Sequence, residues 1–216
     1  MRRMITIAAA TASVFALVAA AQAAKAQKPT KQLTATAKPF VVTFGQVTTV
    51  SGRLTTKNNA GVRVNLAQDP FPYGDGFQPL AQATTDKNGN YSFRLTPMLN
   101  TNYRVSQGAL HAFTGARVRA AVSLGVSDST PAIGQRVRFF GSVRPKHDGK
   151  VVLIQRKRPG GAWITVRRTL LRPATGNRST YSTRLRIFST RSYRARFPSD
   201  GDHLTGTSRT RLLTVH

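Results

Sequence analysis

A block of sequence recurs after about ninety residues, and this duplication limits what the chain can fold into more than any other feature. Gly45-Gln46, followed by Gly52, returns as Gly134-Gln135 followed by Gly141. Tyr91-Ser92-Phe93-Arg94-Leu95 returns at an offset of 90 as Tyr181-Ser182-Thr183-Arg184-Leu185, and Asn102-Tyr103-Arg104-Val105 as Ser192-Tyr193-Arg194-Ala195. Three matched blocks in one order predict a duplicated domain. Between the blocks the match is open: Val62, Val64 and Leu66 align with Val151 and Leu153 or with Val152 and Ile154. Each copy consists of short alternating stretches separated by Gly, Asn, Asp and Pro, the signature of strands joined by turns. No segment after the N-terminus sustains a 3.6-residue period, so helices are not expected.

Strands are predicted at 33–38, 46–54, 61–67, 78–85, 90–96, 102–107 and 115–121, and again at 122–126, 135–143, 150–157, 162–169, 180–187, 192–197 and 208–215. Seven strands per copy fit a two-sheet sandwich. The expected fold is all-β: two tandem seven-stranded immunoglobulin-like β-sandwiches after a signal peptide. The divisions are a signal at 1–26, a short polar segment at 27–32, a first sandwich at 33–120 and a second, Arg-rich one at 121–216. Alternation assigns Val47, Val50, Leu54, Val62, Val64, Leu66, Tyr91, Phe93, Leu95, Tyr103 and Val105 to the first core. It assigns Val137, Phe139, Leu185, Ile187, Tyr193, Ala195 and Phe197 to the second. Trp163, the only tryptophan, is expected to fill core beside Ile164 and Val166. The junction at 117–122 leaves almost no linker, which predicts restricted motion between the domains.

The chain opens on Met1-Arg2-Arg3-Met4, continues through an apolar run from Ile5 to Ala21 and reaches Ala21-Gln22-Ala23 and Ala24-Lys25-Ala26. A basic start, an apolar middle and an Ala-x-Ala end make a secretory signal peptide. Later segments are too polar to span a membrane as helices. The absence of cysteine excludes disulfides and a thiol nucleophile.

Charge is uneven between the copies. Residues 27–116 carry nine Lys and Arg against three Asp, a net +6, whereas residues 117–216 carry 21 against four, a net +17. Such a surface attracts polyanions, and Arg favours planar, bidentate contact with phosphate or carboxylate. Arg136 and Arg138, Arg184 and Arg186, Arg194 and Arg196, and Arg209 and Arg211 are spaced by two, which in strands puts each pair on one outward face. These eight are the candidate polyanion contacts. The other candidate surface is the loop Asp69-Pro70-Phe71-Pro72-Tyr73-Gly74-Asp75-Gly76-Phe77, whose Phe71, Tyr73 and Phe77 would make a rigid aromatic contact for sugar or protein.

Thr84-Thr85-Asp86-Lys87-Asn88-Gly89-Asn90-Tyr91-Ser92-Phe93, with Pro97 and Asn100-Thr101-Asn102-Tyr103-Arg104-Val105, resembles the bacterial Ig-like and carboxypeptidase regulatory-like modules of secreted actinobacterial-type proteins. Gly134-Gln135 to Gly141, Gly149-Lys150-Val151-Val152-Leu153, Gly161-Ala162-Trp163 and Tyr193-Arg194-Ala195-Arg196 are similar to repeated Ig-like modules of the same class. The resemblance covers roughly 33–216 and implies a β-sandwich serving as spacer, adhesin or accessory.

Asp86-Lys87-Asn88-Gly89-Asn90 mimics the opening of a calcium loop, but the twelfth position is Pro97, and an Asn-Gly turn explains the same letters. Asp200-Gly201-Asp202 reads as a loop, and His111, His147, His203 and His216 are far apart in sequence. No catalytic, cofactor or metal residue is therefore expected. The expected role is a non-enzymatic secreted structural or adhesive module contacting anionic cell-wall polymer or an acidic surface through its second domain, at the cell envelope or outside it. The alternatives are a carbohydrate- or protein-binding accessory using the 69–77 loop and, less favoured, a secreted hydrolase. Nucleic-acid specificity is not expected, since no groove-reading helix or zinc finger is present.

Overall fold

Alternation of covered and exposed side chains, interrupted at bulges, carries the chain into strands from Gln32 onward. The computed structural model describes residues 31–216, so the signal peptide expected at 1–26 lies outside the described residues. The first half forms β1 (Gln32–Leu33), β2 (Thr36–Lys38), β3 (Val41–Thr43), β4 (Thr48–Thr55), β5 (Arg63–Pro70), β6 (Gln78–Thr84), β7 (Asn90–Leu95), β8 (Thr101–Gln107) and β9 (Leu110–Arg119). In one sheet β1 and β2 share an edge of β4, with β7 on the other edge. The second sheet runs β3-β9-β8-β5-β6, antiparallel except for the parallel pair β3–β9.

The second half repeats this plan with β10 (Ala121–Val122), β11 (Gly125–Val126), β12 (Arg136–Arg144), β13 (Val151–Lys157), β14 (Trp163–Leu170), β15 (Arg172–Pro173), β16 (Ser179–Arg186), β17 (Arg191–Phe197), β18 (Gly206–Thr207) and β19 (Arg211–Leu213). Here β10 and β11 share an edge of β12, which continues to β16 and β15. The other sheet runs β14-β13-β17, with β18 and β19 along the far edge of β17. Each half closes over its own core. Val50, Leu54, Tyr91 and Phe93 from one sheet meet Val64, Leu66, Tyr103 and Val105 from the other. Val137, Phe139 and Tyr181 meet Val152, Ile154, Tyr193, Ala195 and Phe197 in the second half. The result is an all-β structure of four sheets resembling immunoglobulin-like sandwiches.

Parity within the strands corrects several expectations. Val47 is 39% exposed, because β4 points Thr48, Val50 and Leu54 inward, and the Thr48 hydroxyl donates to the Pro39 carbonyl at 2.8 Å. The open alignment resolves in favour of Val152 and Ile154, which are buried like Val64 and Leu66. The strands read at 33–38 and 122–126 are each broken in two, only Arg211–Leu213 of the stretch read at 208–215 forms a strand, and β3, β15 and β18 lie outside the expected strands.

The break in the first strand of each copy explains the repeated residues. At Thr34 and Ser123 the edge strand swings over Gly52 and Gly141, where a Cβ would overlap the Thr34 or Ser123 carbonyl. The hydroxyls of Tyr91 and Tyr181 donate to those same carbonyls, the latter at 2.7 Å. Gln46 and Gln135 accept from the Thr43 and Ala132 backbone amides at 2.9 and 2.8 Å, closing the turns that Gly45 and Gly134 make with positive φ. A glycine and a tyrosine thus fasten one edge in each half, and a glutamine closes the turn ahead of the strand that carries the glycine.

Replacing Tyr181 by Phe is expected to lower stability by about 1 kcal/mol through the lost hydrogen bond, and Gly141→Ala by more, since the carbonyl has to move. Urea unfolding followed by tryptophan fluorescence measures both. Burial pushes the Tyr91 phenol up to about 12, and Tyr181 is raised by the same cause. Their contribution is complete below the unfolded value of roughly 10 and is lost as pH rises through the folded values. Stability is expected to fall from about pH 10 upward, less steeply in the Tyr91→Phe, Tyr181→Phe double variant.

Candidate functional site

On the outer face of the β12–β16 pair, Arg136 stands directly opposite Arg186 and Arg138 opposite Arg184. All four are exposed, because Val137 and Leu185 between them turn towards the core. Cross-strand Cβ atoms lie only about 4.5–5.5 Å apart, so the quartet concentrates four positive charges on one patch. None of the four is in an ion pair among the described residues. Arg138 stacks 4.8 Å over the Phe140 ring. Beyond Phe140 the same sheet carries a shallow groove of about 590 Å³, lined by Ser142, Thr180, Ser182, Arg172 and Arg178 among others.

The other four arginines lie elsewhere. Arg194 and Arg196 are on β17, in the opposite sheet, and are half-buried. Arg194 Nε donates to Gln155 Oε1 at 2.9 Å, and its guanidinium lies 4.2 Å over Trp163. Burial, and then the neighbouring Arg196, draw the Arg194 pKa down. Trp163 therefore packs on this outer face beneath Arg194, not in the core as expected, because its cross-strand partner Lys157 shares the face of Gln155. Arg209 falls between β18 and β19, and Arg211 opposes the inward-facing Tyr193 and donates from Nε to the Leu124 carbonyl at 3.1 Å. The eight arginines do not share one surface.

The aromatic loop is also divided. Phe71 and Tyr73 pack edge to face at 5.7 Å, and the Phe71 ring covers Gly201 of the second half, where a Cβ would approach to 3.0 Å. Phe77 turns the other way, onto the outer sheet face beside Phe113 and beneath Arg104. The Asp86 segment is a turn: Asp86 Oδ1 accepts from the Asn88 and Asn90 amides at 2.8 and 2.9 Å, and Oδ2 from Asn90 Nδ2 at 3.0 Å. The Asn90 side chain foremost holds this carboxyl below its usual range.

A site invisible in the sequence forms where the halves meet. The loop between β17 and β18 reaches the first sandwich, and buried Asn100 receives it. Asn100 N donates to the Asp202 carbonyl at 2.9 Å, Nδ2 donates to the Gly201 carbonyl at 2.8 Å, and Oδ1 accepts from Val118 N at 2.8 Å. Leu204 N donates to the Val118 carbonyl at 2.7 Å. This places His203 against the Met98 carbonyl and brings His147, from the β12–β13 connection, to Asp200, Asp202 and His203. His147 Nε2 is 3.2 Å from Asp200 and 3.8 Å from Asp202, and His203 Nδ1 is 3.1 Å from Asp202. Burial raises Asp200, assisted by neighbouring Asp202. The two histidines are buried and 56 residues apart in sequence, which is why spacing did not reveal them.

No family model and no curated protein matches the chain. Among solved structures it is similar to the tetra-tandem repeat in the extending region of a large adhesion protein, with 16% identity over 86% of this chain and a TM-score of 0.39. It spans about half, 49%, of that chain. It is also similar to bovine butyrophilin, with 10% identity, covering 81% of this chain and 96% of that one at a TM-score of 0.37.

Asn100→Ala removes the side-chain acceptor of the buried Val118 amide and releases the Gly201 carbonyl. The expected outcome is a loss of about 2–3 kcal/mol in denaturant unfolding, with faster amide exchange at Val118 and Leu204.

Proposed function

We propose that the chain is a non-enzymatic extracellular module, structural or adhesive, that rests on anionic cell-envelope polymer through the outer β12–β16 face. The observation that carries this reading is the quartet of Arg136, Arg138, Arg184 and Arg186, opposed in pairs without a carboxylate partner among the described residues. Like charges placed directly opposite cost a few tenths of a kcal/mol per pair, and a bound polyanion relieves that cost. Guanidinium groups favour bidentate contact with phosphate or carboxylate. Arg172 and Arg178 along the adjoining groove extend the track beyond the quartet.

The secreted destination belongs to the same reading and draws on the N-terminal pattern of residues 1–26. Among the described residues no helix is long and apolar enough to cross a membrane. The division at 33–120 and 121–216 into two immunoglobulin-like domains, and the kinship with bacterial secreted Ig-like modules, are likewise proposed. Two separate cores and the twice-used glycine–tyrosine fastening support both. A second reading, a carbohydrate- or protein-binding accessory, draws on Phe113, which is 62% exposed beside Phe77.

The test is binding of the mature chain to purified cell envelope across a salt series. Four phosphate-type contacts predict a roughly 50- to 150-fold loss of affinity between 50 and 200 mM salt. Replacing the quartet by Ser is expected to abolish saturable binding and flatten the salt dependence, whereas an Arg194→Ser, Arg196→Ser variant retains both. Binding that ignores salt and the quartet variant overturns the reading and directs attention to Phe77 and Phe113.

A further inference from the structure

Each histidine at the junction directs one ring nitrogen to a backbone carbonyl, which only accepts. His147 Nδ1 lies 2.8 Å from the Pro145 oxygen and His203 Nε2 2.8 Å from the Met98 oxygen. Those nitrogens therefore carry the hydrogens, and in the neutral ring the opposite nitrogen holds a lone pair. The two lone pairs, on His147 Nε2 and His203 Nδ1, face Asp200 and Asp202. Among the described residues neither nitrogen has a hydrogen-bond partner, nor does Asp200 Oδ1 or Asp202 Oδ1. Four acceptors converging where water is largely excluded are costly unless a cation stands among them.

We propose that His147 Nε2, His203 Nδ1 and one oxygen each of Asp200 and Asp202 form a four-ligand site for a divalent ion of the zinc class. The candidate ligand atoms all lie within 4.8 Å of one another. A tetrahedral ion with bonds of roughly 2.0–2.2 Å separates its ligands by roughly 3.3–3.6 Å. The close approaches of 3.1, 3.2 and 3.8 Å bracket that spacing before any adjustment. Two imidazoles with two carboxylates suit zinc better than calcium or magnesium, which take oxygen ligands almost alone. The outer hydrogen bonds to Pro145 and Met98 are of the kind that fix the tautomer and orientation of a metal-bound histidine. The Asp202 side chain, 31% exposed, leaves an entry path.

The ion ties the β12–β13 connection to the loop that docks on Asn100, so its effect extends to the seam between the halves. It is independent of the arginine face. The experiment uses tag-free chain, stripped with chelator and titrated with zinc chloride by calorimetry, with thermal unfolding alongside. One zinc per chain is expected, with a midpoint rising by roughly 5–10 °C at a hundredfold excess over the dissociation constant. Cobalt(II) on the wild-type chain is expected to give the visible absorption of a tetrahedral site, a readout that needs no variant. His147→Gln and Asp200→Asn are each expected to weaken zinc by on the order of 100-fold, while a His111→Ala, His216→Ala variant binds as wild type. Two results overturn the site. One is a wild-type chain that takes up no stoichiometric zinc and whose midpoint falls as pH rises from 5 to 8, which marks protonated histidines paired with the carboxylates. The other is stoichiometric uptake unchanged in both ligand variants.

Discussion

The buried amide of Asn100 commits its backbone N–H, its side-chain N–H and its side-chain oxygen to the seam between the two sandwiches. A buried polar group left unpaired costs more than a made hydrogen bond returns, so this residue is satisfied only when the β17–β18 loop is seated. Everything at the junction follows from that seating. Leu204 bonds alongside β9, Phe71 closes over Gly201, and His203 comes to rest on the Met98 carbonyl. Asp200 and Asp202 of the same loop stand beside His147. With β9 ending at Arg119 and β10 starting at Ala121, one buried residue, Ala120, separates the sheets. The seam is built by contact as much as by connection.

The sandwiches divide the work differently. Both are fastened at the first edge strand by the same glycine and tyrosine, yet their outer faces diverge. The first half turns Phe77, Arg104 and Phe113 outward on one sheet. The second turns out paired arginines on one sheet and an Arg194–Trp163 stack on the other. Those two arginine sets differ in physical state. The β12–β16 quartet is exposed and without ion-pair partners among the described residues, whereas Arg194 is occupied by Gln155 and Trp163 and is partly desolvated. Charge count alone treats them alike, and packing separates them.

Much of this architecture was legible beforehand because alternation is a local property. Val64, Tyr103, Val137 and Phe197 were assigned to cores from period two and are buried. Arg136, Arg138, Arg184 and Arg186 were read as outward pairs, and their strands do face them outward. Errors arose where a single residue changes parity or where a strand ends. Val47 lies one position before β4, Trp163 follows the face of Lys157, and Arg209 falls in the gap between β18 and β19. None of these reversals is encoded in composition.

Pattern along the chain already carries the repeated blocks, the all-strand character, the alternation that fills the cores and the concentration of arginine in the second half. Each depends on residues within a few positions of one another or on a pattern repeated along the chain. Strand pairing settles which arginines share a face, because sheet membership is not a local property. The fold also split the aromatic loop between two surfaces. Above all it assembled His147 with Asp200, Asp202 and His203, residues with no common motif, since their meeting requires two loops of one sandwich to converge, one of them seated against the Met98 carbonyl and the Asn100 amide of the other.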